Sequence, residues 1–250
     1  MKRLLRAVLP AAARSHRIWW GPLRGCYLVT SWRDYPAAII GYTEGPLLRW
    51  LAANVGPGET WLDVGAHYGY TAMALSRLVG EEGRVFAFEP VPETAGCLAA
   101  TRARNRLPQL TVLPMGLSDT PGVSVLDVAV TRGMAEHARP PAGQRAAIVT
   151  AALDGIWDAV SRGRRTIHGV KVDVQGMEGQ VLAGMRGLLR EFRPRLVVEF
   201  HAGVDPAPAF HVLDGLGYGL PGVPLDGHVP DVSVAFVAGP PEPAAAGAPA

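Results

Sequence analysis

The chain alternates short apolar runs of strand length with segments whose apolar positions recur at helical spacing. The apolar runs predict one strand that begins at Thr60 and further strands at residues 84–89, 110–115, 168–174 and 195–201. They also predict short strands near Tyr218 and at residues 232–237. The helical segments cover residues 70–79, 91–104, 151–160, 177–192 and 207–216. Alternating strands and helices are typical of parallel sheets. The pattern therefore predicts an α/β fold with a doubly wound, mostly parallel seven-stranded sheet.

The segment from Thr60 to Thr71 has the most informative local pattern, a buried strand followed by a glycine turn and a helix. Gly65 and Gly69 allow positive φ angles and a close approach of the backbone to a ligand. The N-terminus of the following helix adds N–H groups without intrahelical partners. These properties favour a binding loop for a nucleotide-containing cofactor.

Asp63, near the carboxyl end of that strand, limits which cofactor fits. A carboxylate there repels a pyrophosphate and attracts a cationic amino group, so the loop suits the amino-acid end of S-adenosylmethionine better than a dinucleotide. A dinucleotide-binding oxidoreductase also uses a strand, a glycine turn and an acid about 20 residues later, and it stays an alternative. Its usual glycine spacing is absent here, which counts against it.

Glu89 ends the second predicted strand and is the candidate ribose ligand. Its two carboxylate oxygens can accept hydrogen bonds from the 2′ and 3′ hydroxyls of an adenosine. Asp63 or Glu89 alone is explained equally well as a helix cap, since an acid before a helix is common. Two acids that each end an apolar strand, with one helix between them, favour the cofactor interpretation.

Several motifs together carry a family resemblance. The pattern Asp63-x-Gly65-x-His67-x-Gly69 resembles the first motif of class I S-adenosylmethionine-dependent methyltransferases. Together with the later run Val-Lys-Val-Asp-Val-Gln-Gly-Met-Glu, it is similar to the FkbM-type branch of that class. The branch's pattern is also matched by Gly41-Tyr42-Thr43-Glu44, Phe88-Glu89-Pro90, Leu117-Ser118-Asp119, Leu153-Asp154 and Val197-Val198-Glu199-Phe200-His201.

Two residues depart from the family's pattern within the matching stretch, which runs from Gly41 to His201. His67 stands where the wider class usually has a glycine, although FkbM-type sequences often carry a larger polar residue there. Gln175 stands where many members have a glutamate, so an acidic role is not carried over to that position.

The resemblance implies a Rossmann-like domain that binds S-adenosyl-L-methionine. The residues expected to contact the cofactor are Glu44, Asp63, Gly65, His67, Gly69, Glu89, Ser118 and Asp119. Ser118 and Asp119 follow the third strand, where the adenine edge would lie, and they are also good turn residues. These two roles are compatible.

Three residues at the ends of the later strands are candidates for catalysis. Asp173 follows Lys171 and Val172 on a strand aimed at the cleft, and its alternative role is to bind loop amides or the cofactor's amino group. His201 titrates near neutrality and is able to take a hydroxyl proton, with Glu199 on the same strand face to orient it. The alternative for His201 is a hydrogen bond to backbone. Lys171 is expected only to neutralise Asp173 or Glu199.

The resemblance implies O-methylation of a small-molecule natural product or a sugar hydroxyl, so the expected partner is a small-molecule or glycan acceptor. A module that binds the cofactor without turnover stays an alternative. No metal is expected, because the acids are scattered over strand ends without a local ligand cluster. The polar stretch from Thr131 to Arg145 is the expected lid or substrate loop.

Length and composition fit one catalytic domain, with 250 residues of which 48% are hydrophobic. We expect an N-terminal cover segment at residues 1–44, the catalytic domain at 45–238 and a disordered Pro/Ala tail at 239–250. Cys26 and Cys97 are too few for a disulfide framework or a metal-ligand cluster.

Charge and hydropathy set expectations about partners and location. A formal charge of +2 is too small to argue for nucleic acid. Seven basic residues precede the first acid, Asp34, and with Trp19 and Trp20 this segment is either a solvated cover or a contact surface for an acidic partner or a membrane. Arg6 and Pro10 interrupt the apolar run from Leu4 to Ala13, so we expect no stable membrane insertion and a cytoplasmic location.

Overall fold

The computed structural model describes residues 9–128, 144–225 and 231–239. Its strands are β1 (Arg14–Arg17), β2 (Tyr27–Thr30), β3 (Thr60–Val64), β4 (Arg84–Phe88), β5 (Leu110–Leu113), β6 (Gly116–Leu117), β7 (Gly122–Val128), β8 (Gln144–Ala151), β9 (Gly169–Val172), β10 (Arg195–Phe200), β11 (Val223–Pro224) and β12 (Val232–Phe236). Its helices are α1 (Pro36–Ile40), α2 (Gly45–Asn54), α3 (Tyr70–Val79), α4 (Pro92–Arg104), α5 (Leu153–Ser161), α6 (Glu178–Ala183), α7 (Arg186–Phe192) and α8 (Ala207–Asp214).

A seven-stranded sheet with the order β11-β12-β10-β9-β3-β4-β5 forms the centre of the described chain. The five strands from β10 to β5 are parallel, and β12 is antiparallel to both of its neighbours. The predicted α/β fold with a mostly parallel seven-stranded sheet is therefore confirmed. Strand order reverses between β3 and β9, which is where open sheets of this kind place ligands, beyond the carboxyl ends of the strands.

The central strands are apolar on both faces because helices cover the sheet on both sides. All five residues of β3 are buried, and its side chains alternate between two separate hydrophobic clusters. Trp61 belongs to one cluster with Val85 and Ala87, whereas Leu62 and Val64 belong to the other. Parallel strands buried on both faces are expected to have continuous apolar runs of this kind.

The predicted helix at residues 177–192 is wrong as a single element, because the chain breaks it into α6 and α7. A β-carbon on Gly184 would lie 2.1 Å from the carbonyl oxygen of Ser118, so only glycine permits this close approach. Asp154 then accepts hydrogen bonds from the backbone N–H groups of Gly187 and Leu188 at 2.8 and 3.0 Å. These bonds begin a new helix from a side chain that is distant in sequence.

Two other predicted boundaries also differ from the structure. The helix predicted from residue 151 begins at Leu153, because Ala151 still belongs to β8 in a small sheet with β6 and β7. The strand predicted near Tyr218 is reduced to an isolated bridge with Ala238, and the edge strand is β11 instead. Most of the predicted 131–145 loop and nearly all of the predicted tail lie outside the described residues.

The N-terminal segment forms a hairpin of β1 and β2, which is attached to α4. The Asn105 side chain accepts from Tyr27 N at 2.8 Å and donates to Tyr27 O at 2.6 Å, while Thr101 Oγ1 accepts from Val29 N at 3.0 Å. The side chains of Ile18, Leu23 and Leu28 pack in the same cluster as Trp61. No helix in the described ranges has both the length and the apolar character needed to cross a bilayer.

Candidate active site

The glycine turn between β3 and α3 is shaped by three positive φ angles. Gly65, His67 and Gly69 have φ of 82°, 51° and 90°. A β-carbon on Gly65 would lie 1.8 Å from the carbonyl oxygen of Asp173, so the turn passes directly against the end of β9. The predicted turn therefore brings the first motif into contact with the segment that carries Asp173.

Asp63 lies in β3 beside Lys171 of β9, with which it is paired in register. Its carboxylate is fully buried, and within the described chain neither oxygen has a hydrogen-bond partner of ordinary geometry. Lys171 Nζ lies 3.4 Å from Oδ1, which makes a long ion pair. Burial raises the pKa of Asp63, and the charge of Lys171 opposes this rise. Asp63 thus has unused capacity to accept hydrogen bonds from a cationic ligand.

Lys171 links the carboxylates of two neighbouring strand ends; its pairing with Asp173 was one of the two pairings expected from sequence, and its contact with Asp63 was not expected. Its ammonium group is buried and lies 3.1 Å from Asp173 Oδ2 as well as 3.4 Å from Asp63 Oδ1. Burial lowers the pKa of Lys171, but the charges of Asp173, Asp63 and Glu199 outweigh it and raise the pKa above its usual value. The signal in the sequence was the alternation Lys171-Val172-Asp173, which puts both charges on one strand face.

Glu89 follows β4 and joins the glycine turn to the start of α4. Its two oxygens accept hydrogen bonds from His67 N at 2.9 Å and from Val91 N at 3.0 Å. Burial raises the pKa of Glu89 to about 7, even though these hydrogen bonds lower it. Each carboxylate oxygen can accept a second hydrogen bond, so the capping role and the predicted ribose contact are compatible.

Asp173 holds the imidazole of His201 at the ends of β9 and β10. His201 Nε2 lies 2.9 Å from Asp173 Oδ1 and 2.8 Å from Gln175 Nε2, and Nδ1 lies 3.4 Å from Asp231 Oδ1. Burial lowers the pKa of His201, but the hydrogen bond and charge of Asp173 outweigh it and raise the pKa to about 9. We expected Glu199 to orient this ring; the structure assigns that role to Asp173 and Asp231.

Glu199 completes a compact group with Asp173 and His201. One potential ligand atom from each of the three side chains lies within 4.8 Å of the other two. Burial, together with the charges of Asp173 and Glu44, raises the pKa of Glu199 to about 8. The expectation that the acids form no local ligand cluster is therefore wrong, because two strand ends that are distant in sequence are adjacent in the sheet. This group could bind a metal ion, or it could accept or donate a proton.

The cover segment contributes Glu44 and Tyr35 to the same edge. The charge of Glu44 raises the pKa values of Glu199, Tyr35 and Lys171, and its contact with the cofactor stays a prediction. The ring of Tyr35 lies 5.3 Å from that of His67 and 6.3 Å from that of Tyr70, between centroids. Nothing in the sequence identified Tyr35. Its contacts place the cover segment against the glycine turn.

Ser118 and Asp119 follow β6, beyond the end of β5, and differ in exposure. Ser118 is buried and Asp119 is exposed, with 3.2 Å between Ser118 Oγ and Asp119 Oδ1. Thr120 N donates to Ser118 Oγ at 3.4 Å, a long turn hydrogen bond. The turn role is therefore present. The structure puts neither residue in contact with the acidic group of β9 and β10, so their adenine role stays a prediction.

The site as a whole has more acidic than basic groups. Asp63, Glu89, Asp173 and Glu199 face Lys171 and His201, and three of the four acids have raised pKa values. A cationic ligand with hydrogen-bond donors would relieve this imbalance. A pyrophosphate would increase it.

The comparisons identify the family of the chain. The sequence model of the FkbM methyltransferase domain matches residues 63–216, which is more than half of the chain. No protein of curated function matches the sequence significantly. The family match decides against the oxidoreductase alternative.

Among solved structures with low sequence identity, one with a TM-score above 0.5 shares the fold. Precorrin-6y C5,15-methyltransferase from Geobacter metallireducens GS-15 has a TM-score of 0.51 at 14% identity, covering 79% of this chain and 89% of its own. Methyltransferase FkbM from Methylobacillus flagellatus KT has a TM-score of 0.48 at 17% identity, covering 83% and 62%. A putative rRNA-methylase from Clostridium thermocellum has a TM-score of 0.48 at 13% identity, covering 77% and 93%.

None of these comparisons supports or tests the expected exclusion of nucleic acid as a partner. The expected fold, family and cofactor are all supported, while the acceptor is not identified. With its first motif at Asp63 to Gly69 and the family match extending to residue 216, the chain belongs to the FkbM family of S-adenosylmethionine-dependent methyltransferases.

Proposed function

We propose that this protein transfers a methyl group from S-adenosylmethionine to a hydroxyl group of a small molecule or a sugar. The observation that carries the proposal is the group of Asp173, Glu199 and His201 beside Asp63, since it combines an excess of acid with two groups whose pKa values are raised, that of Glu199 to about 8 and that of His201 to about 9. An alcohol needs a proton acceptor when it becomes a nucleophile, whereas an amine has only to be unprotonated.

The residues present fit this cofactor. Asp63 has two buried oxygens without ordinary hydrogen-bond partners, and Tyr70 has a buried hydroxyl without one, within the described chain. Asp63 would bind the amino group, and Glu89 would bind the ribose hydroxyls. Ser118 and Asp119 would contact the adenine edge. The methionine portion would lie along the glycine turn, near Glu44 and the backbone of Gly65, His67 and Gly69. When bound, S-adenosylmethionine supplies an electrophilic methyl group on a positively charged sulfur.

In the proposed mechanism, the acceptor's proton passes to the pair of Glu199 and His201. Asp173 is a positioning residue, because it holds Nε2 of His201 on one oxygen and Lys171 on the other. At neutral pH the raised pKa values keep Glu199 and His201 largely protonated. A cation bound beside them lowers both pKa values and frees the pair to accept a proton. Placing acceptor and donor in line supplies much of the remaining rate enhancement.

Cofactor binding is tested by titration calorimetry with S-adenosylhomocysteine. Asp63→Asn and Glu89→Gln should each weaken binding by about tenfold or more, because each removes a charge-assisted hydrogen bond. Glu191→Gln, on the exposed face of α7, is the matched control and should leave affinity unchanged. Unchanged affinity in both site variants, or displacement by NAD, would contradict the assignment.

Catalysis is tested by mass spectrometry of an extract treated with isotopically labelled S-adenosylmethionine. His201→Asn and Glu199→Gln should lower kcat by about 10²-fold or more, the usual contribution of a proton acceptor. Affinity for S-adenosylhomocysteine should change little, because neither residue is proposed to hold the cofactor. Cofactor binding with no labelled product from any acceptor would favour the non-catalytic module instead.

A metal ion in the same group is the competing mechanism. Both oxygens of Asp173 already have cationic or proton-donating partners in Lys171 and His201, so the charge balance favours a reaction without metal. Treatment with EDTA should leave the rate within about twofold of the untreated enzyme. A large loss that Mg²⁺ or Mn²⁺ restores would reassign Asp173, Glu199 and His201 as ligands.

A further inference from the structure

An exposed apolar face lies on the cover segment, outside the active site. We define the tryptophan face as Trp19, Trp20, Ile40 and Tyr42, whose exposed fractions are 52%, 63%, 37% and 88%. Most apolar side chains of the cover segment, such as Ile18, Leu23 and Leu28, are buried in the core instead. Large apolar side chains that are exposed together usually mark a contact surface.

Backbone hydrogen bonds hold this face together. Trp19 N donates to Ile39 O at 3.2 Å and Trp20 N donates to Ile40 O at 3.0 Å, so the two stretches that carry the face lie side by side. The ring of Trp19 also contacts that of Trp32 edge-on, with 5.5 Å between centroids. The exposed rings are therefore fixed on an ordered part of the chain.

Exposed arginines flank the tryptophan face, and the acid that follows it along the chain, Glu44, is half-buried and acts on the active site. Arg17 and Arg24 are exposed, and the Arg24 guanidinium lies 5.7 Å from the ring centre of Trp20. The first acid of the sequence, Asp34, is hydrogen bonded to Ser31 and Tyr68. In the described chain, no acidic side chain forms an ion pair with Arg17 or Arg24. A partner of this face should thus be anionic and apolar at once.

We propose that the tryptophan face docks the protein on the surface of an anionic lipid bilayer. Tryptophan rings favour the boundary between headgroups and acyl chains, and arginines bind the phosphates just outside it. The sequence before the described residues adds Lys2, Arg3 and Arg6 with Leu4 and Leu5, which is the same mixture of cations and apolar groups. A nucleic acid would match the arginines but would leave Ile40 against phosphate and water.

The tryptophan face is continuous with the active site along the chain. Tyr42 is followed by Thr43, which hydrogen bonds to the Tyr35 side chain, and by Glu44, whose charge acts on Lys171 and Glu199. This docking does not depend on the proposed methyl transfer.

Co-sedimentation with vesicles tests the proposal on the full chain. Vesicles of phosphatidylcholine with about one third phosphatidylglycerol should bind the protein at least tenfold more strongly than phosphatidylcholine alone at about 0.1 M salt. Trp19→Ala/Trp20→Ala should lower binding by about tenfold or more. Arg17→Gln/Arg24→Gln should lower it by about 30-fold, since each cation near an anionic surface contributes roughly a further factor of five.

Two matched control variants distinguish binding through the tryptophan face from nonspecific binding to vesicles. Val123→Ala/Val125→Ala removes exposed apolar groups from β7, and Arg162→Gln/Arg190→Gln removes two charges elsewhere, so neither should change vesicle binding. Equal binding to both lipid mixtures, or equal loss in the controls, would overturn the proposal. Binding to single-stranded RNA without vesicle binding would also overturn it and assign the face to nucleic acid. If the tryptophan variant does not fold, the arginine variant alone decides.

Discussion

Of the two carboxylates beside Lys171, Asp173 also contacts His201, whereas Asp63 has no cation among the described residues other than Lys171. Replacing Lys171 with methionine keeps most of the volume but leaves Asp63 and Asp173 without this partner, so the free energy of unfolding should fall by about 3 kcal/mol. Urea denaturation followed by circular dichroism measures the change. Arg165→Gln breaks exposed ion pairs with Asp158 and Glu191 and should cost less than about 1 kcal/mol. A loss for Lys171→Met as small as the control's would contradict the assigned role.

Gly65 and Gly58 have nearly the same positive φ, at 82° and 81°, but different surroundings. A β-carbon would lie 1.8 Å from Asp173 O at Gly65 and would meet nothing within 4 Å at Gly58. Gly58→Ala should therefore lower the free energy of unfolding by about 1 kcal/mol, because only its backbone conformation is unfavourable for alanine. Gly65→Ala should lower it several times more, because its β-carbon also meets the carbonyl of Asp173. Thermal unfolding of the two variants measures the difference. Equal losses would mean that the turn moves freely away from β9.

The site residues that could be predicted were those with a local pattern. Asp63 lies near the end of one apolar strand and Glu89 follows another, so the position of their carboxylates is expected from the fold. The partners of His201 could not be predicted, because Asp173 and Asp231 reach it from different segments. Tyr35 was missed for the same reason, since its contacts with the glycine turn come from tertiary packing.

At the level of elements, α7 depends on a cap from another helix. Asp154 of α5 accepts the N–H groups of Gly187 and Leu188, and no side chain within α7 caps it. Asp154→Ala should lower the free energy of unfolding by about 1 kcal/mol and speed amide hydrogen exchange at these two residues. The matched change Asp158→Ala, on the same helix, should leave exchange in α7 unaltered. Protection that persists in Asp154→Ala would contradict the capping role.

The elements that were predicted well have a regular pattern of apolar residues, whereas those predicted poorly depend on contacts between segments that are distant in sequence. The strands β3, β4 and β10 follow from their apolar runs, and α3 begins and ends as the pattern indicates. The break between α6 and α7 requires the carbonyl of Ser118, which no local pattern shows. The edge strand β11 has only two residues, with little apolar character to detect.

For the whole molecule, the raised pKa values predict a stability that falls with pH. A group whose pKa is raised by folding stabilises the protein below its unfolded pKa and loses that contribution as pH rises through the folded value. Glu89 at about 7, Glu199 at about 8 and His201 at about 9 all have this sign. The free energy of unfolding should therefore fall by several kcal/mol between pH 6 and pH 9 in the ligand-free protein.

Urea denaturation at several pH values measures this dependence. Glu199→Gln should reduce the fall of the free energy of unfolding between pH 6 and pH 8, because it removes the carboxyl group that titrates there. The pKa of Asp173 is lowered instead, so its contribution is complete above its unfolded value and does not alter the slope in this range. Stability that rises from pH 6 to pH 9 would show that the acidic edge is more solvated than its burial indicates.

The hairpin of β1 and β2 shares its apolar cluster with Trp61, Met73 and Leu98, and three hydrogen bonds join it to α4. The stretch common to the family begins at residue 63, yet the folding unit extends much further towards the N-terminus. An expression fragment starting at Gly45 would expose the apolar surface that Ile18, Leu23 and Leu28 now cover, and it would aggregate. A minimal fragment for crystallisation or library screening therefore has to retain the chain from Arg14 onward.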